Sequence, residues 1–121
     1  MTIIMAAVIY FVGNYQSGQR PDLSLGPSVT ASWYKHGHTM ANGQPFDKNN
    51  KYRAAHPKWR FGTKVLVTDT ETGNWLVVEI TDRGPFTDCG LDLTEAGARH
   101  FGYLDQGRKR LHVKVIYVPP K

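Results

Sequence analysis

With 121 residues and a mass of 13.6 kDa, the chain has room for one domain around one core. Hydrophobic residues make up 40% and charged residues 21%, and 12 Gly and 7 Pro are spread along the chain, a turn-rich composition that points to short strands rather than long helices. The formal charge of +5 suits polyanions in general (nucleic acid, anionic lipid, an acidic envelope polymer), and the single Cys89 excludes an intrachain disulfide and a cysteine-based metal cluster.

Residues 3–12 are uninterrupted and apolar and stop at Gly13-Asn14. Spanning a bilayer takes about 20 apolar residues and a signal-peptide core roughly 7 to 15. Residues 1–13 are therefore expected to be an export core or a membrane attachment, with a buried first strand as the alternative. They lack a preceding Lys or Arg and a following Ala-x-Ala site. Residues 14–27 are polar, carry Gly and Pro without periodicity, and read as a linker. The folded domain is expected over 28–118.

Within it, residues 29–34 are β-prone and residues 36–50 form a loop rich in Gly, Asn, Asp and Lys. Residues 53–57 end in a proline turn, and Phe61-Gly62-Thr63 punctuates the next strand. Residues 64–69 and 75–81 are β-branched runs joined by Glu71-Thr72-Gly73-Asn74, which supplies hairpin chemistry. Thr94 can N-cap a short helix running to His100, with Glu95 in its first turn and Gly102 as its stop. Residues 111–118 alternate and end at Pro119-Pro120. Several short strands with one helix and no repeat predict a small barrel rather than a βαβ array.

Among groups that could carry chemistry, Asp82 precedes the reversal Arg83-Gly84-Pro85, and Asp92 lies between Leu91 and Leu93. A carboxyl flanked by apolar residues on a strand sits at a core edge, where desolvation raises its pKa, as a general acid for glycosidic cleavage requires. The bland alternatives stay open. Asp92 could accept backbone N–H groups near the helix start, and Asp82 could be a turn former or the ion-pair partner of Arg83. His36, His38 and His56 do not make a strong metal motif, and His56 fits better as a hydrogen-bonding group in a polar cleft. Trp33 is the expected stacking platform for a sugar ring. There is no phosphate-binding glycine loop and no Gly-x-Ser-x-Gly motif, and Ser32 lacks a nucleophile elbow.

Four blocks then stand out in order. They are Ala31-Ser32-Trp33-Tyr34; Met40-Ala41-Asn42-Gly43-Gln44-Pro45-Phe46-Asp47; Ala54-Ala55-His56 followed by Phe61-Gly62-Thr63; and Thr81-Asp82-Arg83-Gly84-Pro85-Phe86 followed by Leu91-Asp92-Leu93-Thr94. Together they resemble the rare lipoprotein A domain, over roughly residues 28 to 118. The resemblance implies a mainly β fold, a six-stranded double-psi β-barrel with one or two short helices. It also implies an endolytic lytic transglycosylase acting on peptide-stripped peptidoglycan glycan strands and leaving 1,6-anhydro ends. The wider fold group includes expansins and endoglucanases.

On that resemblance Asp92 matches the essential acid in its apolar-Asp-Leu context, Asp82 matches a second acidic position, and Asp47 and His56 match polar residues of the site. Gln44, Trp33, Tyr34 and Arg83 are expected to touch the glycan. No metal or organic cofactor is implied. The expected partner is peptidoglycan rather than nucleic acid, since clustered Lys and Arg with interleaved aromatics are lacking. The chain is expected to act as a monomer in the bacterial envelope, periplasmic or secreted. Two departures matter: many members have Glu where this chain has Gln44, and no lipobox Cys stands near the N-terminus. Gln44 keeps a second reading open, that of a non-catalytic wall-binding or expansin-like loosening module.

Overall fold

The computed structural model describes residues 24–121 except 38, 86 and 88. The apolar run 3–12, linker residues 14–23, His38 and Phe86 therefore lie outside the described residues. Among the described residues no helix is long and apolar enough to cross a membrane.

Six strands and one helix follow in chain order: β1 (Ser28–Tyr34), β2 (Arg53–Ala55), β3 (Lys64–Thr68), β4 (Trp75–Asp82), β5 (Leu91–Thr94), α1 (Glu95–Phe101) and β6 (Lys109–Tyr117). The strands close into a barrel in the order β1-β5-β2-β4-β3-β6. Two pairs are parallel, β1 with β5 and β2 with β4, and the other four are antiparallel. The expected mainly β barrel is thus present. Its bounds differ in detail: β4 runs on through Asp82, β6 begins two residues earlier, and Arg53–Ala55 is a strand in the middle of the sheet.

Alternation builds the core. Ala31, Ala54, Val65, Val67, Val78, Ile80, Leu91, Leu93 and Leu111 form the buried core; of their sequence neighbours Ser32, Glu79 and Asp92 are partly exposed, while Ala55, Leu66 and Thr81 are covered as well. Each buried Val or Leu contributes about 1.5–3 kcal/mol over its exposed state. In the β3–β4 connection Asp69 accepts from the backbone N–H of Glu71 and from the Thr72 hydroxyl, and Gly73 adopts the positive φ that the turn needs. At the other end of the domain, Gly26 lies so close to β6 that a Cβ there would sit 1.8 Å from the Val113 carbonyl oxygen. The end of the linker is thereby seated on the barrel, with Val113 N–H donating to Pro27 O.

The helix starts where sequence places it. Thr94 is its N-cap, its hydroxyl oxygen accepting from Gly97 N–H at 3.1 Å while the same hydroxyl donates to Asn50 O at 2.9 Å. Ala96 N–H donates to Lys48 O. Gly102, left-handed at φ 76°, returns its N–H to the last turn and ends the helix. The first turn of α1 therefore holds the loop over residues 47–50.

Candidate active site

The outer face of the barrel at β1, β5, β2 and β4 carries the carboxylates. Leu91 and Leu93 point into the core, so Asp92 between them points out. Its cross-strand neighbours are Ser32 on β1 and Ala55 on β2. On β4 the side chains of Val78 and Ile80 face inward, and plain alternation would send Asp82 inward with them. The register shifts instead: Ala54 pairs with Ile80 but Ala55 pairs with Asp82, leaving Thr81 as an inserted residue. This bulge turns Asp82 to the outer face. Asp82 and Asp92 then stand on one face with Ala55 between them, about 10 Å apart at Cα by strand spacing. A methyl group is all that fills the floor between the two.

The two carboxyl groups live in different surroundings. Asp82 Oδ1 accepts from Ala41 N–H at 2.8 Å and Arg83 N–H at 2.9 Å, and Oδ2 accepts from the Tyr34 hydroxyl at 3.2 Å. Among the described residues Asp92 has one donor, the Ser32 hydroxyl on Oδ1 at 3.0 Å. Burial pushes Asp92 up to about 6, the Ser32 hydrogen bond opposes that rise, and the charge on Asp82 adds to it. Asp92 thus stands at the core edge, between two buried leucines. Asp82 does not pair with the Arg83 guanidinium, which donates to the carbonyls of His56 and Trp59 and lies 4.0 Å over the Phe61 ring. Arg83 is therefore built into the wall behind His56.

His56 is half-buried and stacked on Trp59 with ring centroids 3.8 Å apart. Its Nδ1 accepts from the backbone N–H groups of Lys58 and Trp59. Burial, then the charges of Arg83 and Lys58, lower its pKa to about 4. At neutral pH the ring is neutral with its proton on Nε2, a hydrogen-bond donor rather than a base. With Nδ1 committed to two amides, His56 is also poorly set to join His36 around a metal. His100 and His112 bond the carbonyls of Trp75 and Gly26.

Tyr34 lines the site as expected, on the same side of β1 as Ser32. Its ring stacks on Phe46 at 4.7 Å, and burial and Asp82 raise the pKa of its hydroxyl. Trp33 lies on the opposite face of β1, packs against the core and donates its indole N–H to Leu104 O, so it is not brought to the carboxylates. Asp47 and Gln44 are exposed on the loop preceding β2 and make no bond to either carboxylate among the described residues; they line a neighbouring pocket with Met40, Pro45, Asn50 and Arg53. Asp47 Oδ1 accepts from Asn49 N–H in an Asx turn.

Sequence reasoning missed Ser32, Ala41, Ala55 and Arg53. Ser32 was legible as the residue two before Tyr34 on one strand face. The Ala41 N–H on Asp82 was not, because a backbone donor leaves no trace in side-chain identity.

The comparisons agree with this architecture. A family model described as lytic transglycolase matches residues 27–114. The probable endolytic peptidoglycan transglycosylase RlpA of a Synechocystis species is 44% identical over 90 residues, which cover 71% of this chain and 28% of that protein. Endolytic peptidoglycan transglycosylase RlpA of Pseudomonas aeruginosa is 38% identical over 91 residues, 72% of this chain and 26% of the relative. The chain thus spans little more than a quarter of the length of these curated relatives. Among solved structures, Streptomyces papain inhibitor superposes with a TM-score of 0.61 at 23% identity, covering 77% of this chain and 97% of that one. Cerato-platanin 3 from M. perniciosa superposes at 0.50 with 13% identity, covering 74% of this chain and 93% of that one. These two likenesses establish the fold, a double-psi β-barrel. By the match over most of its length, the chain belongs to the lytic transglycolase family.

Proposed function

We propose that this chain cleaves peptidoglycan glycan strands endolytically as a lytic transglycosylase, with Asp92 as the proton donor. The observation that carries the reading is the unequal pair of carboxyl groups on one barrel face: among the described residues one is held by three donors, and the other is desolvated with a single donor. Enzymes that need an acid near neutral pH separate two carboxyl groups in this way. The relatives' names supply the substrate class.

In the proposed reaction the Asp92 carboxyl gives its proton to the glycosidic oxygen linking N-acetylmuramic acid to N-acetylglucosamine. The bond from muramic C1 to that oxygen breaks, releasing the 4-hydroxyl of the neighbouring sugar. The muramic 6-hydroxyl oxygen bonds to C1, and its proton passes to the vacated Asp92 carboxylate, which restores the acid. No water attacks, so no second carboxylate is needed to activate one. Asp82, already holding three donors, serves by charge: it holds Asp92 protonated and faces the positive charge that develops at C1. His56 Nε2–H and the Tyr34 hydroxyl oxygen are the neighbouring groups that orient sugar hydroxyls.

This reading puts the protein in the bacterial envelope, periplasmic or secreted, as a monomer attached or exported through residues 1–13, with the barrel domain over 28–118. Mass spectrometry of peptide-free glycan strands after incubation tests it. Anhydro-muramic ends are expected from the native chain and none from Asp92→Asn. Ordinary reducing ends would mean hydrolysis. Retention of strands without new ends would favour the binding-module reading that Gln44 keeps alive.

A further inference from the structure

Beside the carboxylate pair lies the pocket formed by Met40, Gln44, Pro45, Asp47, Asn50 and Arg53, with a volume of about 190 Å³. Arg53 is two residues before Ala55 on β2, so the two side chains leave the sheet on the same face, about 7 Å apart along the strand. Met40 adjoins Ala41, whose N–H holds Asp82. The pocket is therefore a neighbouring position on the face that carries Asp82 and Asp92.

Its polar groups are directed by their internal bonds. Gln44 Oε1 accepts from Arg53 and from Asn42 Nδ2. Arginine has donors only, so the carbonyl oxygen of the Gln44 amide must face it, and the Gln44 NH2 is the group left over. That NH2 has no hydrogen-bond partner among the described residues. Asp47 spends Oδ1 on Asn49 N–H, and its Oδ2 has no partner among the described residues. The pocket thus offers an amide donor and a carboxylate acceptor beside two apolar side chains, the buried Met40 and the exposed Pro45.

A donor, an acceptor and an apolar wall are the three complements of an acetamido group. Its carbonyl accepts, its N–H donates, and its methyl seeks apolar contact. A free carboxylate fits less well, because Asp47 would repel it and offset Arg53. The geometry points to this pocket as a subsite for the 2-acetamido group of an N-acetylhexosamine in the glycan, with Gln44 Nε2 donating to its carbonyl and Asp47 accepting from its N–H. The inference rests on the glycan-cleaving reading above and adds what selects the strand.

Binding of three neutral oligosaccharides to the full chain, read by titration calorimetry, tests it: chitotetraose, its N-formyl analogue and cellotetraose. Removing only the methyl is expected to weaken binding about four-fold, the worth of one buried carbon. Removing the whole acetamido group, with two hydrogen bonds, is expected to weaken it by more than ten-fold. Gln44→Ala and Asp47→Ser, the latter keeping an oxygen for the turn at 47–49, should each reduce the preference for chitotetraose over cellotetraose about five-fold. Loss of the preference in Asp47→Asn, whose single amide oxygen keeps the turn bond to Asn49 N–H while an NH2 donor replaces the acceptor Oδ2, separates recognition from loop structure. Equal affinity for chitotetraose and cellotetraose, or a preference that survives both substitutions, overturns the subsite. Strand cleavage without acetamido preference would leave the function standing and remove the subsite. Pocket-dependent preference without anhydro products would do the reverse.

Discussion

Replacing Asp92 with Asn tests the site through stability as well as activity. The structure raises the Asp92 carboxyl from 3.8 to about 6, with burial as the leading cause. A rise of about 2 pH units corresponds to a ceiling of about 3 kcal/mol held against the charged form in the folded state. Because the group is only half-buried, solvent screening reduces this to about 1–2 kcal/mol. The sign follows from proton counts. Between pH 3.8 and 6 the folded chain holds a proton at Asp92 that the unfolded chain has released, so stability falls as pH rises across that window and is level above it. Asparagine carries no charge at any pH and keeps an oxygen for the Ser32 hydroxyl. Asp92→Asn should therefore melt roughly 5–15 °C above the native chain at pH 7.5 and within a few degrees of it at pH 4. Loss of the general acid should meanwhile lower glycan cleavage by about 10²–10⁴-fold. Paired melting curves by circular dichroism at the two pH values are the assay. A melting difference that does not change between pH 4 and 7.5 would refute the buried-charge argument, and retained cleavage would move the proton donor elsewhere.

Three further outcomes follow from neighbouring contacts. In Ser32→Ala the hydroxyl that favours the charged form of Asp92 is gone, so the alkaline limb of the kcat profile, expected near pH 6, should move up by about 1 unit; a limb that stays put or moves down contradicts the assignment. Gln44→Glu should leave kcat within about two-fold while raising KM about five-fold, since it removes the donor of a neutral hydrogen bond. A large gain in kcat would show that residue 44, not Asp92, can supply the acid. Thr94→Ala removes the N-cap bond to Gly97 and the bond to Asn50 O from a buried position, which should cost about 2–3 kcal/mol by urea denaturation; a loss below about 0.5 kcal/mol would mean that the cap does not stabilise the domain.

Much of this was legible in the residues. Alternation around Leu91-Asp92-Leu93 determines which way Asp92 points, and the helix over Glu95–Phe101 carries a hydroxyl cap at one end and a glycine stop at the other. Other parts depend on pairings that no local pattern encodes. Asp82 faces outward only because Thr81 is inserted against β2, and that insertion is a property of two strands at once. Arg53–Ala55, with three residues, is too short to show a period, yet it lies between both carboxylates. Where the Trp33 and Arg83 side chains turn was not legible, for a shared reason. A large side chain beside a glycine-rich loop can serve a ligand or the wall, and the choice depends on distant carbonyls: Leu104 O for Trp33, and His56 O with Trp59 O for Arg83.

The tie between α1 and the loop over residues 47–50 has a thermal consequence. Two of the pocket's lining residues, Asp47 and Asn50, lie in a segment held by Thr94, by Ala96 N–H and by the Lys48–Glu95 pair, all at the first turn of a seven-residue helix. Helix ends fray at free energies well below that of global unfolding. Warming the protein should loosen its grip on glycan before the barrel opens, so that affinity fades while the carboxylates, fixed on strands, keep their geometry. On the proposed glycan-cleaving reading, the helix is a temperature-sensitive clasp on substrate capture, mounted beside carboxylates that the strands hold in place.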